Sequence, residues 1–117
     1  MSIRVKRVYD PPSRRDGHRV LVDRVWPRGV SKEAAQIAQW LRDIAPSTKL
    51  RQWFGHDPVR WDEFRRRYFR ELSGREDALR SLRARARKQT VTLVFGAKDE
   101  QHNNAVALKE YLQAKSR

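Results

Sequence analysis

Two short apolar runs set the limits on how this chain can fold: Val20-Leu21-Val22, and the stretch from Thr90 to Phe95 with Val91, Leu93, Val94 and Phe95. Each is too short for a buried helix, is rich in β-branched residues and lacks a polar face along its apolar part. A run of that kind reads as a strand covered on both faces, and such strands belong to parallel sheets. Both runs end abruptly in polar loops. Asp23-Arg24-Val25-Trp26-Pro27-Arg28-Gly29 follows the first, and Gly96 through Asn104 follows the second. Loops at the carboxyl ends of strands are where α/β sheets bind ligands.

The rest of the chain supplies the helices such a sheet needs. Ile3, Val5 and Val8 predict a first strand near residues 2–8, and a turn-rich connection runs from Tyr9 to Gly17. That connection is short for a parallel crossover. The first two strands are therefore either antiparallel neighbours or joined by a cut-down crossover. Ser31 is placed to cap a helix with Glu33 in its first turn. Ala34, Ile37, Leu41 and Ile44 keep a helical period there, although Gln36–Trp40 also fits a locally extended path. Ser47 caps a short helix carrying Leu50, Trp53 and Phe54, ended by Gly55. Asp57-Pro58 opens another, with Trp61, Phe64, Tyr68 and Leu72 on one stripe. Ser73 and Glu76 have capping-box spacing for the next helix, whose inner face is Leu79, Leu82 and Ala86. Ala105, Leu108 and Leu112 mark the last one. This order argues for a small single α/β domain over residues 1–117, a largely parallel sheet of few strands flanked by helices.

Composition removes whole classes of chemistry. Among 117 residues there is no Cys, so disulfides, thiolate catalysis and Cys-ligated metal sites are excluded. No metal site is expected from His18, His56 and His102 either, because they show no ligand spacing. No phosphate-binding P-loop, glycine-rich dinucleotide fingerprint or nucleophile elbow occurs, and nothing asks for a cofactor. No apolar run approaches the roughly 20 residues of a membrane span, and no signal-peptide core is present. A soluble cytoplasmic protein without a membrane partner is the expectation. The charge is lopsided: 27 Lys and Arg against 14 Asp and Glu, a formal +13. Such an excess attracts polyanions at long range, although an Arg-rich solvated surface accounts for it equally well.

If the two buried strands are parallel neighbours, their exit loops meet on one edge of the sheet. Asp23 would then be a carboxylate acid/base or orienter. Arg24, Arg28 and Lys98 are suited to gripping a phosphate or carboxylate. Asp99 is placed to cap the last helix, which would put His102, Asn103 and Asn104 on its first turn, where free N–H groups favour an anion. His102 there suits a neutral proton donor or acceptor. Trp26 and Trp53 are candidates to stack on a base or to wall the pocket. His56 beside Asp57 forms a third cluster, although adjacent residues rarely make a catalytic pair. The blander alternatives stay open: Asp23 and Arg24 as a strand-end ion pair, Trp26 as a core edge, and His102 as an exposed histidine.

A set of longer segments carries a resemblance. Val-Lys-Arg-Val-Tyr-Asp near the start, Asp-Gly-His-Arg-Val-Leu-Val-Asp-Arg-Val-Trp-Pro-Arg-Gly-Val-Ser-Lys-Glu, Trp-Phe-Gly-His-Asp-Pro, and Lys-Asp-Glu-Gln-His-Asn-Asn-Ala-Val together resemble the YeaO-like family of small bacterial proteins. The resemblance implies a small α/β domain in a bacterial cytoplasm and supplies no activity. Across the wider group it implies an acid-and-arginine segment after one strand, matched here by Asp23 and Arg24. A lysine–aspartate segment with a histidine follows another strand, matched by Lys98, Asp99 and His102. Wider relatives often carry cysteines around the second segment; the nearby positions here are Phe95, Gly96 and Asn103, so thiol chemistry in those relatives does not carry over.

Two functions of different kind follow. One is a pocket for an anionic small molecule such as a nucleotide or nucleic-acid component, with or without acid/base catalysis. The other is a non-catalytic nucleic-acid-binding module using the Arg-rich helices; a regulatory or interaction protein, whose polar loops only stabilise the fold, is the further alternative. From Pro58 to Lys88 the chain has ten Arg and one Lys against five acidic residues.

Overall fold

A computed structural model describes residues 1–114. Four strands, β1 (Ile3–Arg7), β2 (His18–Leu21), β3 (Gln39–Trp40) and β4 (Val91–Phe95), form one sheet in the order β1-β4-β2-β3. Every neighbouring pair is parallel. The helices are α1 (Lys32–Ala35), α2 (Thr48–Phe54), α3 (Trp61–Leu72), α4 (Glu76–Lys88) and α5 (Asn104–Ala114). The expected α/β class, a parallel sheet flanked by helices, is borne out. None of these helices is long and apolar enough to cross a membrane.

The strand that comes last in the chain sits between the first two. This settles the two alternatives for the Tyr9–Gly17 connection: β1 and β2 run the same way and are kept apart by β4, so the connection is a cut-down crossover. All five residues of β4 are buried, as a central strand requires. Its pleat assigns the two faces. Val91, Leu93 and Phe95, with Val20 and Val22, join the main core under α2 to α5, where Phe54, Phe64, Tyr68, Leu79 and Leu108 pack. Val94 and Leu21 point the other way and are covered by Val8, Ala35 and the partly buried Trp26, Val30, Ile37 and Trp40.

Two expected elements form differently. The helix read from Ser31 toward Ile44 stops after one turn at Gln36, which is left-handed with φ 48°. Beyond it the chain runs extended: Ala38 N donates to Arg19 O at 2.9 Å and Leu41 N to Leu21 O at 2.9 Å. The reason is the outer edge of β2, whose backbone groups need a partner. Gln39–Trp40 supplies it, and Arg42–Ile44 then closes a 3-10 turn. The Ser73–Glu76 capping box also does not form. Residue Arg75 occupies the cap position without a side-chain cap bond, Ser73 Oγ donates to Arg70 O, and Glu76 meets Arg83 and Tyr111.

A buried ionic cluster holds the other end of the sheet. Asp16, in the β1–β2 crossover, has no exposed surface, and neither flanking sequence pattern nor charge singled it out. Its carboxylate receives Arg19 Nη1 at 2.6 Å, Lys6 Nζ at 3.2 Å and the Ser13 amide at 3.0 Å. Arg19 Nε and Nη2 both donate to Ala35 O, so the same guanidinium ties β2 to α1. The crossover can only turn here because Gly17 is left-handed at φ +62°, with Thr90 O 2.2 Å from where a Cβ would stand.

Burial alone would raise the Asp16 carboxyl pKa, but the bonds from Ser13, Lys6 and Arg19 outweigh it and hold it below the ordinary value. Asp16→Ala strands a buried guanidinium and is expected to cost about 3 kcal/mol in urea denaturation. Because the folded pKa is depressed, this stabilisation is present above the unfolded carboxyl value of about 3.9 and fades as pH falls through the folded one. A loss independent of pH, or smaller than about 0.5 kcal/mol, the level of an ordinary surface change, contradicts this account.

Candidate functional site

The register of β2 on β4 sets the site. Leu21 lies opposite Val94, and Val22 N donates to Val94 O at 3.1 Å, so Asp23 and Gly96 leave the sheet side by side. From there the chains part. The β2 exit feeds the Trp26–Trp40 covering of one face, while the β4 exit feeds α5 on the other. Adjacent parallel strands whose connections leave to opposite faces open a crevice at their carboxyl ends.

Asp23 ties the two exits together. Its Oδ2 accepts from Gly96 N at 2.8 Å and its Oδ1 from Asn104 Nδ2 at 3.0 Å. The same Asn104 amide donates to Val22 O at 2.8 Å. Trp40 Nε1 donates to the Asp23 carbonyl at 2.7 Å. Gly96 is needed for the close approach, since a Cβ there would stand 3.1 Å from Asp23 Oδ2. Burial pushes the Asp23 carboxyl pKa up, against the Asn104 and Gly96 bonds and the charges of Arg51 and His56, which pull it down. Asp23 does not pair with Arg24, which resolves that alternative. Arg24 instead donates from Nε to Pro46 O at 3.0 Å and from Nη2 to Ala45 O at 3.1 Å, pinning the loop to the segment before α2.

Between these loops lies a half-open cavity of about 360 Å³. Of the residues read from the sequence, Asp23, Arg24, Trp26, Arg28, His56, Asn103 and Asn104 line it. Trp26 donates from Nε1 to Val30 O at 2.7 Å and meets Trp40 edge to face at 5.4 Å, so it is wall rather than a free stacking surface. Arg28 is exposed and its backbone carbonyl accepts from Tyr9 OH. His56 is exposed at the mouth, in a left-handed conformation at φ 57° just after Gly55 at φ 55°. That consecutive left-handed pair turns the chain back toward the cavity at the end of α2.

Among the other lining residues, Arg51, Tyr9 and Phe54 had not been singled out as site residues from the sequence. Arg51 was legible in part, since it precedes the inward Phe54 by three residues on α2 and so shares its side of the helix. Tyr9 had no such signal, because only the crossover brings it beside the β2 loop.

Trp53, Lys98, Asp99 and His102 do not line the cavity. Trp53 packs partly buried against the core, with the guanidiniums of Arg67 at 4.2 Å and Arg60 at 5.3 Å from its ring. Lys98 is exposed on the loop. Asp99 is not the cap of α5. It accepts from Gln101 N, His102 N and His102 Nδ1, contacts that hold its pKa down, and the helix begins only at Asn104. The cap is Asn103, whose Oδ1 accepts from Val106 N at 3.0 Å while its Nδ2 donates to Asp99 O at 2.9 Å. His102 therefore precedes the helix, and its ring lies edge to face against Trp61 at 5.3 Å.

Part of the charge on the Arg-rich helices is paired locally. Arg66 and Arg67 share Glu63, Arg65 pairs with Asp62 and Glu110, Arg80 with Asp77, and buried Arg83 with Glu76. Glu63 is held at about 2 by its two guanidiniums. Among the described residues, no group of three His, Cys, Asp or Glu could hold a metal ion.

The family model described as "Inactive DUF488-N3 subclade" matches residues 2–117. The chain is 41% identical over 114 residues to YeaO of Escherichia coli, covering 97% of this chain and 99% of that one. It is 40% identical over 113 residues to proteins of Mycobacterium bovis and Mycobacterium tuberculosis, covering 97% of this chain and 95% of theirs. All of these relatives are described as uncharacterised. The YeaO-like resemblance is thus borne out. No solved structure matches the chain.

Gly96→Ala tests the geometry of the two exits. Its methyl group stands 3.1 Å from Asp23 Oδ2, so the carboxylate has to give by a few tenths of an ångström, and overpacking where it is held costs about 1–3 kcal/mol. Urea denaturation of the variant reads this cost directly. A neutral effect shows that the Asp23 carboxylate yields to the methyl group without cost, so that the join is not rigid.

Proposed function

The chain belongs to the family described as the inactive DUF488-N3 subclade, and from that premise we propose that its pocket recognises a small anionic ligand without catalysing a reaction on it. The ligand class is a nucleotide or nucleic-acid component. One observation carries this reading: Arg24, Arg28 and Arg51 line a largely apolar cavity whose lining includes one carboxylate, Asp23. Arg28 and Arg51 make no side-chain hydrogen bond or ion pair to the described residues, so their donors remain for a ligand. Charge-assisted bonds of that type are stronger than neutral ones, and the planar guanidinium fits phosphate in bidentate fashion.

The absence of catalysis has its own support. Asp23 is engaged in joining two loops, His102 stands outside the cavity, and the chain has no cysteine. No nucleophile with an adjacent base lines the pocket, which is what covalent catalysis asks for. The family description as inactive agrees.

Binding along the Arg-rich helices is the weaker reading, since most of those arginines already face carboxylates. Arg85, Arg87 and Lys88 are the exposed cations at the end of α4 that it would use.

Calorimetric titration with inorganic pyrophosphate and with nucleoside monophosphates separates the two. Arg51→Ala and Arg28→Ala are each expected to weaken binding about tenfold, equivalent to about 1.4 kcal/mol. Substituting Arg85 and Arg87 together leaves it unchanged. Binding to nucleic acid that falls by about 0.9 log units per phosphate contact with salt, lost with Arg85 and Arg87 and kept without Arg51, favours the helix surface instead.

A further inference from the structure

The arrangement around Asp23 specifies more than an anion. We infer that the pocket reads the ring of its ligand through two adjacent N–H donors, the edge that guanine presents, set against the Asp23 carboxylate while the rim arginines hold a phosphate. This rests on the anion-pocket reading and names the ligand class within it.

The argument starts from what a carboxylate can accept. An ionised aspartate offers about four lone-pair sites, two on each oxygen. In this protein Oδ2 takes one donor, Gly96 N at 2.8 Å, and Oδ1 takes one, Asn104 Nδ2 at 3.0 Å. Neither oxygen has a second donor among the described residues, and Asp23 forms no ion pair there. Each oxygen therefore keeps one acceptor site, and the group lines the cavity. One acceptor site on each oxygen of a planar carboxylate can receive a planar pair of N–H donors, the geometry by which carboxylates receive a guanidinium in bidentate fashion.

A cationic ligand is disfavoured by the surroundings. Arg24, Arg28, Arg51 and His56 line the same cavity. The paired donors therefore belong to a neutral ring with an anion attached. Of the common nucleobases only guanine carries two adjacent donors, N1–H and the exocyclic N2 amine. Adenine and cytosine pair one donor with one acceptor, and in xanthine an oxygen replaces the second donor. The walls beside Asp23 suit a flat ring: Phe54, Phe64, Pro27 and the edge of Trp26 are apolar. A volume of about 360 Å³ lies in the range of roughly 300–1,000 Å³ of small-molecule sites. Burial disfavours the Asp23 charge, and a donor pair restores hydrogen bonds that the cavity withholds. Exposed Arg28 and Arg51 at the rim then meet the phosphate, whether it belongs to a free nucleotide or to the end of a single strand.

Titration calorimetry of the wild-type chain with guanosine, xanthosine and adenosine monophosphates and with 1-methylguanosine monophosphate tests this. Guanosine monophosphate is expected to bind about tenfold or more tightly than each of the others. Asp23→Asn, checked for folding by circular dichroism, reverses the order of guanosine and xanthosine monophosphates. The comparison with the 1-methyl compound needs no variant and stands even if Asp23→Asn does not fold. A 5′-phosphorylated oligonucleotide beginning with guanosine, binding more tightly than the mononucleotide, assigns the source to a strand end, and weaker binding assigns it to the free nucleotide. Equal affinity for all four mononucleotides overturns the guanine assignment and leaves the anion pocket standing. No binding of any of them or of pyrophosphate overturns both.

Discussion

The site depends on one contact, the Asp23 carboxylate held between the Gly96 amide and the Asn104 side chain. Two strands that are far apart in sequence become neighbours in the sheet, and their exits would otherwise diverge without restraint. A carboxylate just past the end of β2 gathers both. The Asn104 amide also reaches Val22 O, so the start of α5 is fixed to the end of β2 by the same group. Around this join the rest of the pocket follows from the fold. Arg24 is anchored to the backbone before α2, and Asn103 caps α5. Gly55 and His56 then turn the α2 exit toward the crevice.

Much of this was legible in the chain because the strongest signals were local. The two apolar runs declared central strands, and their polar continuations declared the edge on which a ligand would be met. The capping patterns at Ser31, Ser47 and Asp57 each formed as the residue types require. Failures arose where a local preference met a tertiary demand. Ile37 and Leu41 fit a helix by spacing, but the free edge of β2 took that segment as a strand. Asp99 and Asn103 are both capping residues four positions apart, and spacing alone does not choose between them. The choice fell to Asn103, which left His102 outside the helix and outside the cavity.

What the sequence could not disclose was which charges meet. Asp16, Arg19 and Lys6 look like scattered surface residues along the chain, yet they form a buried cluster, because a left-handed Gly17 folds the crossover under the sheet. Conversely, the arginine-dense helices look like a polyanion surface and are mostly paired with their own carboxylates. Exposed pairs of this kind add little stability, typically under about 1 kcal/mol each. They offset part of the charge on that face, whereas in the crevice Arg28 and Arg51, without ion pairs to the described residues, line an apolar cavity.

The central claim is that ligand binding happens at the join and not on the helices. Backbone amide chemical-shift mapping during titration with guanosine monophosphate tests it directly. The account predicts shifts concentrated at Gly96, at residues 23–26, 28–29 and 103–104, and near Arg51, with the α4 end unmoved. Shifts centred on Arg85 to Lys88, with Gly96 silent, would contradict it.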